Sequence, residues 1–312
     1  MLRDDRFGIV VSARDAWANA EELRALGARY VRTVVYDFDH LSAALRDHPP
    51  EVRVIVVLDT RFPGVGRDLT DLSGWESAVR TLADRFKGRV WALECLSAWD
   101  TLDIEASRAV ACAQSAGRIL RDTGSGIRCL LGSVAGPRWV ARLQEAAGLL
   151  TAADHALLSG AGFHPYRKNA RGFPGFDHPR IEHGEIDVTV QDAHGIMEMP
   201  IWVTELGIRL GQAGGETGQA RYLRNAFDLL GALPRDVMAA AIYRCWWDTA
   251  GAPHERGEHA YGLRREDVFE PELDAMPRRV WHAFAEAAGG TGAPPRVFTP
   301  QRLLASGGAI CG

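Results

Sequence analysis

Eight short β-branched or apolar runs, each followed by a longer stretch of helical periodicity, constrain this chain more than any other feature. The runs are Phe7–Ser12, Tyr30–Tyr36, Arg53–Asp59, Val90–Leu96, Ile127–Gly132, Ala156–His164, Ile201–Glu205 and Met238–Asp248. The pattern predicts helices over Asp15–Leu26, His40–Arg46, Leu72–Phe86, Ile104–Asp122, Gly136–Leu150, Glu185–Met197, Glu216–Leu233 and Pro277–Ala287. Such alternation is the sequence form of parallel βα units, since parallel neighbours need a crossover long enough to carry a helix. Asp15 is placed to cap the first helix and Gly27 to close it, while Gly124 and Gly126 stop the fourth. Eight units within 312 residues fit a single (β/α)8 TIM barrel, an α/β fold, over residues 1–288, with a Gly/Pro-rich tail at 289–312. The rival is a doubly wound open sheet. It would want a glycine fingerprint for phosphate after an early strand, and none is present.

Charge and cysteine usage remove several classes of partner. The net charge of −4 is spread along the chain without an acidic or basic block, which argues against nucleic acid and anionic membrane surfaces. The five cysteines are odd in number, form no CxxC and sit mostly in apolar runs, so they read as reduced thiols rather than a disulfide framework or a zinc site. No metal and no cofactor is expected. No apolar run reaches the ~18 residues of a membrane span, and the first residues lead directly into a strand with no signal-peptide pattern. The expected location is cytoplasmic, or secreted if a leader has been removed.

In a barrel of this kind the working residues gather at the C-terminal ends of the strands. Polar and aromatic residues do cluster there: Asp59-Thr60-Arg61, Trp99-Asp100, His164-Pro165-Tyr166, Thr204-Glu205 and Trp246-Trp247-Asp248. The strongest signal is Pro200-Ile201-Trp202-Val203-Thr204-Glu205-Leu206-Gly207, a strand that carries a carboxylate to its end and then meets a glycine. By alternation Glu205 shares a face with Ile201 and Val203; if those fill the barrel, Glu205 points into its mouth. A carboxylate there needs either an ion-pair partner or a chemical role.

These segments resemble the clan A retaining glycoside hydrolases, the cellulase and β-xylosidase type of TIM barrel with catalytic glutamates ending strands four and seven. Trp202–Gly207 is similar to the strand-seven motif, which makes Glu205 the expected nucleophile. Phe163-His164-Pro165-Tyr166 resembles the strand-six motif whose His and Tyr line the sugar site. Tyr30-Val31-Arg32 resembles the strand-two motif whose Arg contacts the nucleophile. Cys245-Trp246-Trp247-Asp248 resembles the strand-eight motif, with Trp246 as a sugar platform. Gln219–Leu223 resembles the start of the family's seventh helix, and Tyr261-Gly262-Leu263, Pro277 and Trp281–Phe284 resemble the segment that closes the fold. The implied function is retaining hydrolysis of O-glycosidic bonds in an oligo- or polysaccharide. Arg32, Ser97, Trp99, Asp100, His164, Tyr166, Trp246 and Asp248 are the expected substrate-binding residues.

Strand four departs from the pattern. Gly88–Asp100 aligns without gaps to the family segment, and the family Asn and acid/base Glu fall on Ser97 and Ala98. An alanine has no proton to give, whereas a poor leaving group needs a general acid. Three readings remain open: an acid/base position emptied by design, a natural loss that leaves a non-catalytic carbohydrate-binding protein, or a substitute acid. Asp100 is the expected substitute. Glu94, ~13 Å lower on the strand, is too deep and is expected to be a buried partner for Arg32 or another basic group.

Overall fold

In a computed structural model, eight parallel strands close into a barrel with helices around it. The structure describes residues 5–11, 17–18, 20–67, 69–168, 176–177, 185–208, 213–244, 247–248, 263–265 and 278–293. The strands are β1 (Phe7–Val10), β2 (Tyr30–Val34), β3 (Arg53–Leu58), β4 (Ala92–Cys95), β5 (Arg128–Val134), β6 (Leu158–Phe163), β7 (Ile201–Leu206) and β8 (Met238–Tyr243). Each pairs with its neighbours in sequence, and β8 returns to β1. The helices are α1 (Ala20–Leu26), α2 (Phe38–Ala44), α3 (Ser73–Phe86), α4 (Ala106–Asp122), α5 (Trp139–Ala147), α6 (Ala152–His155), α7 (Glu185–Met197), α8 (Glu216–Ala232) and α9 (Arg279–Ala288).

The expected elements are found with boundaries shifted by a few residues. The short α6 is an addition that the apolar pattern did not show. It begins at a capping box in which Thr151 and Asp154 satisfy each other's backbone N–H groups. Gly27 closes α1 at φ +71°, as expected, but Asp15 lies outside the described residues. So do most of the residues from 167 to 185 and the tail beyond 293.

Alternation along the strands divides the core in two. Val31, Val54, Val56, Leu93, Leu131, Phe163, Ile201, Val203 and Tyr243 face the helices and pack with Trp75, Phe86, Phe227, Trp281 and Phe284. Tyr30, Ile55, Ala92, Leu130, Trp202, Ala240 and Ile242 fill the barrel. Tyr30 and Trp202 meet edge-on across it, with ring centroids 5.8 Å apart. Beneath them Trp91 lies between the Arg53 and Arg128 guanidinium groups, 4.4 and 4.2 Å from its ring centre. Trp202 fits because β6 carries Gly160 beside it: a Cβ there would lie 2.7 Å from the indole and 2.3 Å from the Pro200 carbonyl oxygen. Cys95, Cys112 and Cys129 are buried free thiols; burial holds the Cys95 thiol well above its usual range and pushes Cys112 up to about 12. Cys245 and Cys311 lie outside the described residues.

Candidate active site

The interior parity of each strand, followed upward, leads to the site. Arg32 stands one step above Tyr30 on β2, Glu94 above Ala92 on β4, Thr204 above Trp202 on β7 and His164 just past β6. Together they form a polar layer over the apolar one. Arg32 donates from Nε and Nη2 to the two oxygens of Glu94 at 2.7 and 3.1 Å, a two-pronged pair with both side chains fully buried. Glu94 is therefore the buried partner of Arg32, as expected. Thr204 donates its hydroxyl to Glu94 at 3.2 Å and stands 3.1 Å from His164 Nε2. A hydroxyl has one proton, so with Thr204 donating to Glu94, His164 must supply the N–H, which fixes its Nε2–H tautomer. Burial pushes the pKa of His164 from 6.5 down to about 4, so the ring is neutral at neutral pH.

Glu205 sits above this layer, by a route that corrects the expectation. Ile201 and Val203 face the helices, while Trp202 and Thr204 face inward. Strict alternation would therefore turn Glu205 outward. The register between β7 and β8 shows why it does not: Val203 pairs with Ala241 and Leu206 with Tyr243, three residues of β7 against two of β8. This bulge inserts one residue, so that Thr204 and Glu205 both reach the interior and the chain then resumes its alternation at Leu206.

At the mouth Glu205 is held from three sides. Arg244 Nη1 lies 3.0 Å from Oε1, the Tyr166 hydroxyl donates to the same oxygen at 3.4 Å, and Arg32 Nη1 lies 3.6 Å from Oε2. Burial raises the carboxyl pKa, but Arg244, His164, Arg32 and the Tyr166 hydroxyl outweigh it and hold Glu205 below the usual carboxylate range. With His164 neutral, the two arginines carry this effect near pH 7. Glu94 is likewise ionised: burial opposes it, and Arg32 overrides burial. Arg32 thus bridges two carboxylates, one structural and one facing the mouth.

The end of β4 is built differently from the expectation. Ser97 accepts a 2.9 Å hydrogen bond from Arg32 Nη2, so it belongs to the site. Leu96 and Ala98 are both left-handed, at φ +71° and +48°, a conformation costing a non-glycine residue roughly 1–2 kcal/mol. The Ala98 amide donates to Ser133 Oγ at 2.9 Å. Beyond this turn, two expected substrate contacts prove structural. Trp99 is fully buried and donates from Nε1 to the Gly132 carbonyl at 3.1 Å, so no ring face is open to a sugar. Asp100 accepts the amides of Ala135 and Gly136 at 2.9 and 2.7 Å, one on each oxygen. Both bonds anchor the β5–α5 loop to the turn that follows β4. Trp246 lies outside the described residues, and so does the side chain of Asp248.

Two contributors carried no assigned role in the sequence. Arg244 follows Ala240 and Ile242 at inward parity, and that signal was available. Arg61 folds back onto the fully buried Asp59, donating from Nε and Nη2 at 3.0 and 2.5 Å. Its guanidinium lies 5.4 Å from the Tyr36 ring centre and feels the charge of Glu205. Among the described residues no cluster of metal-binding side chains occurs, and no helix is long and apolar enough to cross a membrane.

No family model matches this chain, and no curated protein matches it in sequence. Solved structures do match in shape. The AHE enzyme of Alicyclobacillus herbarius aligns at TM-score 0.66 and 10% identity, over 95% of this chain and 99% of its own. A GH5_18 protein of Streptomyces cattleya, crystallised with GlcNAc, aligns at 0.61 and 16%, over 96% and 82%. An endo-β-1,4-glucanase of Xanthomonas axonopodis pv. citri aligns at 0.61 and 13%, over 91% and 98%. The fold is that of the glycoside hydrolase barrels. In this barrel a strand-end carboxylate held by two arginines stands at the mouth that the fold keeps for chemistry.

Proposed function

We propose that the protein is a retaining glycosidase, with Glu205 as nucleophile and Ala98 at the acid/base position. The observation that carries this reading is the β7 bulge, which brings an ionised carboxylate to the mouth and aims two arginines and a tyrosine at it. In the first step Glu205 attacks the anomeric carbon and displaces the aglycone, forming a glycosyl ester. Water then cleaves that ester with net retention. Arg32, Arg244 and Tyr166 keep the carboxylate unprotonated and oriented, and release it as the ester forms.

Ala98 favours a second reading, a carbohydrate-binding protein without turnover. The two separate with aryl β-glycosides, which leave without protonation. As a glycosidase, the protein should release the aryl group faster when azide is added, give a β-glycosyl azide, and lose both with Glu205→Gln. Ala98→Glu should then raise hydrolysis of unactivated glycosides ~10²–10⁴-fold. Silence with azide and in Ala98→Glu, alongside measurable sugar binding, would establish the binding protein.

A further inference from the structure

The acidic groups around Glu205 share one property: none of those described is placed to give a proton. Position 98 is alanine. Asp100 is held by two backbone amides, Glu94 by Arg32 and Thr204, and Asp59 by Arg61. His164 Nε2–H is engaged with Thr204 below the mouth. In contrast, a cation is on offer. Arg61 follows β3, next to β4, whose end carries Ala98. Asp59 fixes its Nε and Nη2, the side chain is 36% exposed, and Nη1 has no partner among the described residues. A guanidinium thus stands just past the strand that neighbours the one leading to position 98.

Resting on Glu205 as the nucleophile, we propose that the bond cleaved here joins the sugar to an oxyacid, as a glycosyl carboxylate or glycosyl phosphate ester, and that Arg61 receives the departing anion. The leaving group's acidity decides the matter. An alcohol is about as weak an acid as water, with a pKa of ~15.7, and departs only if protonated. A carboxylic acid at ~4 or a phosphate at ~6 departs as its anion. In the first step Glu205 forms a bond to the anomeric carbon, and the C–O electron pair leaves on the oxyacid, which arrives at Arg61 charged. In the second, water attacks the anomeric carbon and the bond to Glu205 breaks. The water proton passes to the oxyanion still held at Arg61. The products are free sugar and the protonated acid, and Glu205 is restored as carboxylate. The substrate's own acid thus supplies the base that position 98 lacks.

The test compares 1-O-acetyl β-glycosides and β-glycosyl 1-phosphates with methyl β-glycosides, across glucose, mannose, galactose and N-acetylglucosamine, without azide. The expected result is Glu205-dependent hydrolysis of one oxyacid series, lost in Glu205→Gln, with the methyl glycosides inert; the series that reacts identifies the acid. Arg61→Gln should lower kcat/KM for that series ~10²-fold, the scale of one oxyanion-stabilising donor. Arg61→Lys, which keeps a cation beside Asp59 but loses the fork, should fall between. Comparable turnover of methyl glycosides would overturn the inference, as would an Arg61→Lys and Arg61→Gln pair both as active as the parent. Oxyacid glycosides left intact while azide still releases aryl groups would overturn it and leave Glu205 standing as nucleophile. Silence in both assays would remove the nucleophile as well.

Discussion

His164 sets a specific acid sensitivity of the fold. The native ring resists protonation until about pH 4, because charging it would place a cation in a buried layer that already holds Arg32. The unfolded ring takes its proton on passing below 6.5. Between those values the unfolded state binds more protons than the native one, so stability falls as pH falls. The whole gap is worth about 3 kcal/mol at 1.36 kcal/mol per pH unit, of which about 2 kcal/mol is lost between pH 7 and pH 5. His164→Gln keeps an N–H for Thr204 but cannot titrate. Urea denaturation of both proteins at pH 7, 6 and 5 should show the parent losing about 2 kcal/mol more than the variant across that window. Glu94 and Glu205, held below the ordinary carboxylate value of 4.5, contribute stability that is lost only at lower pH, so they do not blur the comparison. Parallel curves for parent and variant would refute the assignment of a neutral, buried His164.

Other substitutions probe the same layers. Glu94→Gln strips the counter-charge from a fully buried Arg32 and should destabilise the protein by about 3–5 kcal/mol in urea unfolding; a loss below about 1 kcal/mol would mean that Glu205 and Ser97 suffice to hold the guanidinium. Gly160→Ala drives a methyl into the Pro200 carbonyl and the Trp202 ring, at a backbone φ of +146°, and should lower stability by about 1–3 kcal/mol while shifting the near-ultraviolet dichroism of the indole. Labelling of Glu205 by a 2-deoxy-2-fluoro aryl glycoside, followed by mass spectrometry, should keep its rate as pH falls to 4.5, because the nucleophile ionises below that value. Arg244→Gln removes the closest cation and should move the acid limb of that profile upward; an unchanged limb would show that Arg244 does not set the charge state.

The amino-acid order alone carried the architecture, because period-2 and period-3.6 patterns are local properties of strands and helices and eight alternations leave few ways to close a sheet. It also marked His164, Tyr166 and Glu205, since polar residues at the ends of apolar strands stand out without any contact information, whereas Arg32 was marked only by the resemblance of its strand to a family motif. Parity was misjudged on β7, although the conclusion drawn from it survived. Alternation cannot reveal a bulge whose only signature is a pairing with the neighbouring strand, three residues against two. The roles of Trp99 and Asp100 escaped for a related reason. Their partners, the Gly132 carbonyl and the amides of Ala135 and Gly136, lie on the next βα unit and meet them only once the barrel closes. Even the charge on Glu205 belongs to closure, for Arg244, Arg32 and Tyr166 arrive from three different strands, and a carboxylate's pKa follows the charges within a few ångströms rather than its neighbours in the chain.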